Sequence, residues 1–147
     1  KGDSKKYFED VYSVDNIMDN LGNYDVVIST LPSTNKTYHF IDNEFFNKMK
    51  ESSAFINISR GEVVDQNALI KNIKRDKFKG VALDVFENEP LDKASELWDF
   101  ENVYISSHNS WISDRKDDRR FEIIYENLKR FKENEELKNI VSVKRGY

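Results

Sequence analysis

The 147 residues, 38% hydrophobic and 13% aromatic, suffice for one globular core and not for two. A formal net charge of −4, with both signs interspersed, gives no footprint for a nucleic-acid backbone or an anionic membrane, so neither is an expected partner. The lack of cysteine excludes disulfides and thiolate chemistry, two histidines argue against a multi-histidine metal centre, and both fit a reducing, cytoplasmic setting with no metal site.

No apolar run approaches the roughly 18 residues that span a bilayer, and the opening "KGDSKKYFED" has no signal-peptide core. The chain starts at Lys1, which reads as a piece of something longer. In chain order, "SVDNIMDNLG" predicts a helix with Ser13 as cap, Val14, Ile17, Met18 and Leu21 on one face, and Gly22 as stop. "YDVVIST" follows as a strand, then "DNEFFNKMK" as a helix capped by Asp42 and burying Phe45, Phe46 and Met49. "SAFINIS" is the next strand, and "DQNALIKNIKRDKFKG" a helix capped by Asp65 with Ala68, Leu69 and Ile73 inward. "GVALDVF" and "NVYISS" complete four short runs without clean alternation, which predicts parallel strands buried on both faces. Beyond Trp111, "SDRKDDRRFEIIYENLKRFKENEEL" spaces Phe121, Ile124, Tyr125, Leu128 and Phe131 for a long helix, leaving the tail "NIVSVKRGY" without a clear pattern. Strand alternating with helix defines an α/β fold with a parallel sheet.

Open parallel sheets bind ligands beyond the carboxyl ends of their strands, so the residues there matter most. They are Leu31-Pro32, Arg60-Gly61, Glu87-Asn88-Glu89-Pro90 and His108. Taken singly, an arginine at a strand end is a surface charge, a glutamate before proline a solvated loop residue, and one histidine a structural one. Together, a guanidinium, a carboxylate and an imidazole on one rim form a workable acid/base and anion-binding set. Asp84, inside the apolar "VALDVF", reads as a satisfied strand-end carboxylate or a ligand contact. His39 has no acidic or nucleophilic neighbour at a useful spacing and is read as structural.

The ordered motifs "LPST", "INISRGEVVD", "ALDVFENEP" and "SSH", across residues 24 to 113, resemble the cofactor-binding domain of the D-isomer-specific 2-hydroxyacid dehydrogenases. The resemblance implies an incomplete Rossmann-type, doubly wound sheet over residues 1–113, with residues 114–147 a helix and tail returning towards a substrate domain. It implies an NAD(P)-dependent oxidoreductase acting between a 2-oxo acid and a D-2-hydroxy acid, with NAD as cofactor, NADP still open, and a homodimer as the assembly. By the same resemblance Arg60 anchors the substrate carboxylate, His108 is the general acid, and Glu89 hydrogen-bonds His108 and favours its imidazolium form. Glu87 is the near rival of Glu89. The implied cofactor-binding residues are Leu31, Pro32, Thr37, Ile58, Ser59, Arg60, Asp84, His108 and Ser110.

Two family features have no counterpart: the G-x-G-x-x-G phosphate loop, and the acidic residue that selects NAD over NADP. In a 3-2-1-4-5-6 strand order the missing first strand belongs beside "DVVIST", so that edge is expected to be covered by another chain, or the piece to associate. A non-catalytic dinucleotide-sensing or dimerisation module of the same fold is the alternative function.

Overall fold

The computed structural model describes residue 8 and residues 10–144, and divides into two compact units, residues 1–106 and residues 107–147. In the first unit four strands, β1 (Val26–Ser29), β2 (Ser53–Asn57), β3 (Phe78–Leu83) and β4 (Val103–Ile105), form one sheet in the order β1-β2-β3-β4. Every pairing is parallel, as expected. The connections carry α1 (Asn43–Lys48) between β1 and β2, and α2 (Gln66–Ile73) between β2 and β3.

Both helix starts follow the sequence reading. The Asp42 carboxylate accepts from the Phe45 amide at 3.0 Å, and Asp65 accepts from Ala68 at 2.9 Å. Each satisfies an amide that the first turn leaves without a partner. Asp42→Ala is expected to cost about 1 kcal/mol, readable as a lower urea midpoint with an unchanged slope.

The strand register sorts side chains into two faces. Val27, Phe55, Val81 and Val103 lie in one row, and Ser29, Asn57, Leu83 and Ile105 in the next. Phe46, fully buried, meets Phe55 and Phe78 edge-on at centroid distances of 5.2 and 5.5 Å, the geometry the ring quadrupoles prefer. The opposite row, Ile28, Ile56, Ala82 and Tyr104, is where the expectation of burial on both faces fails. Ile28 is 54% and Tyr104 69% exposed, so this sheet is apolar on two faces and buried on one. β1 is also an edge: among the described residues it pairs only with β2.

The expected helix at "SVDNIMDNLG" is not formed. Two 3-10 turns, Val14–Asn16 and Leu21–Asn23, stand in its place, and Ser13 makes no capping bond. The cause lies in the density of Asp and Asn, whose side chains compete for the backbone: Asn20 Nδ2 donates to the Asn16 carbonyl at 2.9 Å. Gly22 sits within the second turn instead of ending a helix.

At the amino end of β3, Lys77 is buried, but its ammonium donates to the Met49 carbonyl at 2.7 Å and to Glu51 at 2.5 Å. Its charge is fully engaged in joining the end of α1 to β3, far along the strand from the carboxyl rim.

The second unit contains α3 (Lys116–Lys132), the long helix expected from the sequence. Its apolar stripe is formed but exposed: Phe121, Ile124, Tyr125, Leu128 and Phe131 are each at least 59% accessible. The segment after α3 is tied back to it by Asn127, which accepts from the Lys138 amide at 2.8 Å and donates to its carbonyl at 3.1 Å. Hydrogen bonds from Lys138 and then Arg130 hold the Glu126 carboxyl below its ordinary range, so this contact persists into acid.

Candidate functional site

The first unit presents its chemistry at the carboxyl ends of β1, β2 and β3, levelled by the row Ser29, Asn57 and Leu83. β2 ends on Asn57, 1% exposed, an amide at the end of an apolar run. Its Oδ1 accepts from the Ser59 amide at 3.1 Å and the Ser59 hydroxyl at 2.7 Å, and its Nδ2 donates to the Arg60 carbonyl at 3.2 Å. Because the Ser59 hydroxyl proton is committed to Asn57, Ser29 Oγ, 2.9 Å away, is the donor to Ser59 Oγ. This buried network clamps the turn after β2, and a clamped turn carries an exposed side chain at a defined place. That side chain is Arg60, whose Nη1 donates to the Ser59 carbonyl at 2.7 Å.

Gly61 follows, and what it supplies is space. Its backbone needs no left-handed turn; instead, a Cβ there lies 1.9 Å from both the carbonyl carbon and the oxygen of Phe86. Only glycine lets the loop after β2 touch the loop after β3. Arg60 and Glu89 thus stand on loops whose backbones are in direct contact.

In the loop after β3, Glu87 and Glu89 have different employment. Glu87 Oε1 accepts from the Gln66 amide at 2.9 Å and pairs with His39 Nε2 at 2.8 Å. Glu89, exposed, accepts from the Phe86 amide at 3.1 Å. The histidine that sequence spacing left without an acidic neighbour has one after all, 48 positions further on, brought near by the parallel topology. His39 also stacks on Tyr38 at 4.0 Å and takes a left-handed φ of 49°. It ties the loop after β1 to the loop after β3. Ser33 does the same towards β2, donating to Glu62 at 2.6 Å.

Asp84 is the first residue past β3, so it stands at the strand's mouth and not inside it as the run "VALDVF" suggested. It is 3% exposed and accepts from the Ser106 hydroxyl at 2.6 Å. With Ile56, Ile58, Ala82, Tyr104 and Ser106 it lines a hollow of about 140 Å³ on the uncovered sheet face. Ile58 is half exposed there, Ser59 is buried in the network, and Leu31 packs on the core while Pro32 is exposed. Thr37 closes the turn after β1, its hydroxyl donating to the Pro32 carbonyl at 2.6 Å.

His108 and Ser110 belong to the second unit. His108 is half-buried with a left-handed φ of 51°, and its carbonyl accepts from Trp111 Nε1 at 2.8 Å; Ser110 is exposed. No cluster of metal-ligating side chains occurs among the described residues, nor is any helix among them long and apolar enough to cross a membrane. The residues that sequence reasoning missed are Ser29, Asn57 and the His39–Glu87 pair. For the first two the signal was present: each is a small polar residue ending an apolar strand.

A four-stranded parallel sheet with its polar residues gathered past the carboxyl ends defines an open α/β dinucleotide-binding fold. Residues 1–110 match the family model described as "D-isomer specific 2-hydroxyacid dehydrogenase, NAD binding domain". The chain is 40% identical over 118 residues to a glyoxylate reductase of Korarchaeum cryptofilum, covering 80% of this chain and 36% of that protein. It is 47% identical over 88 residues to glyoxylate/hydroxypyruvate reductase B of Cronobacter sakazakii, covering 60% and 27%. Among solved structures, the D-isomer specific 2-hydroxyacid dehydrogenase of Xanthobacter autotrophicus, in complex with NADPH and MES, superposes with a TM-score of 0.84 at 32% identity, covering 91% of this chain and 55% of that one. The NADPH-dependent glyoxylate/hydroxypyruvate reductase of Sinorhizobium meliloti, in complex with NADP and sulfate, gives 0.84 at 28% identity, covering 92% and 44%. The chain belongs to the D-isomer specific 2-hydroxyacid dehydrogenase family and carries its NAD-binding domain fold. It spans 36% and 33% of the length of the first two curated relatives.

The residues present fit one end of such a cofactor. An apolar floor of Ile56, Ile58 and Ala82 with the Asp84 carboxylate at its margin suits a flat ring bearing an amide. The pyrophosphate end has no glycine-rich cradle in these 147 residues.

Proposed function

We propose that the protein containing this chain is an NAD(P)-dependent oxidoreductase that interconverts a small 2-oxo acid and its D-2-hydroxy acid. The observation that carries this reading is the buried Asn57–Ser59–Ser29 network, which spends three polar side chains on holding one exposed arginine. A solvated surface charge needs no such support. Arg60 grips the substrate carboxylate with the edge of its planar guanidinium, and His108 gives a proton to the carbonyl oxygen in reduction and recovers it in oxidation. Glu89 is the carboxylate that partners His108, since Glu87 is taken up by His39 and the start of α2.

Asp84 and Ile58 hold the nicotinamide end of the cofactor, with Leu31, Pro32, Thr37, Ser59 and Ser110 along its path, and the nicotinamide supplies the hydride. Residues 1–113 act as the partial dinucleotide-binding domain and residues 114–147 as the helix and tail that return towards the substrate domain. Glyoxylate and hydroxypyruvate are the substrates indicated by the relatives' names, and NADP is as well supported as NAD by the cofactors of the structural neighbours. A cytoplasmic homodimer belongs to the same reading, supported by the edge strand β1, whose exposed Val26 and Ile28 are apolar surface that association removes from water.

The test is oxidation of NADH and of NADPH by the complete gene product against glyoxylate, hydroxypyruvate and pyruvate. Turnover of at least one is expected. Arg60→Lys is expected to lower kcat/KM about 10- to 200-fold, the loss of one charge-assisted hydrogen bond. Nucleotide binding with no turnover of any 2-oxo acid overturns the enzyme and favours a sensing module.

A further inference from the structure

We propose that Trp111 is a positioning residue for His108, its indole N–H holding the backbone in the left-handed conformation from which the imidazole is presented. The inference rests on the reading of His108 as general acid. It starts from φ of 51° at His108, a conformation that L-residues with a Cβ adopt at a cost and that persists only where surroundings impose it. One such constraint is Trp111 Nε1, which donates to the His108 carbonyl at 2.8 Å, while the Ile112 amide closes the same turn on the Asn109 carbonyl at 2.9 Å.

Burial does not account for the tryptophan. Trp111 is 50% exposed, so a large ring is left half in water. Its place is fixed instead from the start of α3, where Lys116 Nζ lies 4.3 Å and Arg120 Cζ 5.4 Å from the ring centroid. Both cations meet the negative face of the indole. The chain of causes therefore runs from Lys116 and Arg120 of α3, through the ring, to one N–H, and from that N–H to the peptide plane following His108. A phenylalanine keeps an aromatic face for the cations, a weaker one than indole, and removes the N–H donor.

The test uses Trp111→Phe, His108→Ala and the double variant in the complete gene product, with glyoxylate or hydroxypyruvate as substrate. Trp111→Phe is expected to lower kcat about tenfold, with KM for the nucleotide and the melting temperature nearly unchanged, and to cause no further loss in the His108→Ala background. A kcat within twofold of wild type while His108→Ala is inactive overturns the inference and leaves the general-acid reading standing. A His108→Ala protein of full activity overturns both. An equal loss from Trp111→Phe in either background also overturns it, because the tryptophan then acts other than through His108. A measurement on the wild-type protein guards against a variant that does not fold: the Trp111 indole proton is expected to exchange slowly with solvent, and exchange at the rate of free indole refutes the bond.

Discussion

Gly61→Ala is expected to destabilise the protein by more than about 3 kcal/mol, the upper range for forcing an extra group into packed structure. A domain of this size holds on the order of 5–15 kcal/mol in all. The reason is the identity of the obstructing atoms. The new Cβ meets the Phe86 carbonyl carbon and oxygen at 1.9 Å and the Glu87 nitrogen at 2.5 Å, and backbone cannot rotate aside as the end of a side chain can. Relief requires moving the loop after β3 away from the loop after β2, which parts Glu87 from the Gln66 amide and alters the spacing of Arg60 and Glu89. Gly80→Ala is the control: its Cβ finds nothing nearer than the Asn102 carbonyl oxygen at 3.9 Å, and this substitution is expected to be tolerated. Soluble yield and urea midpoint of the two variants in the complete gene product decide the matter. A Gly61→Ala protein with the midpoint of wild type removes the close approach from the account.

The sheet was legible in the sequence because its strands are four apolar, β-branched runs, the first three of them separated by capped helices. Asp42 and Asp65 announced α1 and α2 by chemistry that acts within four residues. What was misread depended on competition or on distance. At "SVDNIMDNLG" the apolar spacing was helical, yet Asn and Asp offered the backbone local partners and 3-10 turns formed. Continuous apolar runs indicated two buried faces, but they report what a strand can bury and not what covers it: Val26, Ile28 and Tyr104 remain exposed.

In the candidate site, Arg60 and Asp84 stand out in the sequence because each interrupts or ends an apolar run, and Glu89 because it follows one closely. Their supports were harder to see. Ser29 and Asn57 lie 28 positions apart and meet only through the register of β1 on β2. His39 finds Glu87 because parallel crossovers return the chain to the same rim, a contact that no local spacing encodes. Gly61 is needed for space against the Phe86 backbone, a contact with the following strand's loop that no local spacing encodes.

His108→Ala is expected to reduce kcat for 2-oxo acid reduction about 10²- to 10⁴-fold, the usual worth of a positioned general acid. Folding is expected to survive, because His108 is half-buried and lies outside the core cluster. On the proposed roles the two glutamates separate cleanly. Glu89→Gln removes the carboxylate assigned to His108, and kcat is expected to fall about tenfold. Glu87→Gln is expected to leave kcat nearly unchanged, since Glu87 is engaged with His39 Nε2 at 2.8 Å and the Gln66 amide at 2.9 Å. Its loss instead loosens the loop after β1 from the start of α2, with a lower midpoint. Steady-state kinetics and urea midpoints of the three variants provide the measurement. A kcat that falls with Glu87→Gln and not with Glu89→Gln reverses the assignment, and a kcat that falls with neither removes the carboxylate from the mechanism.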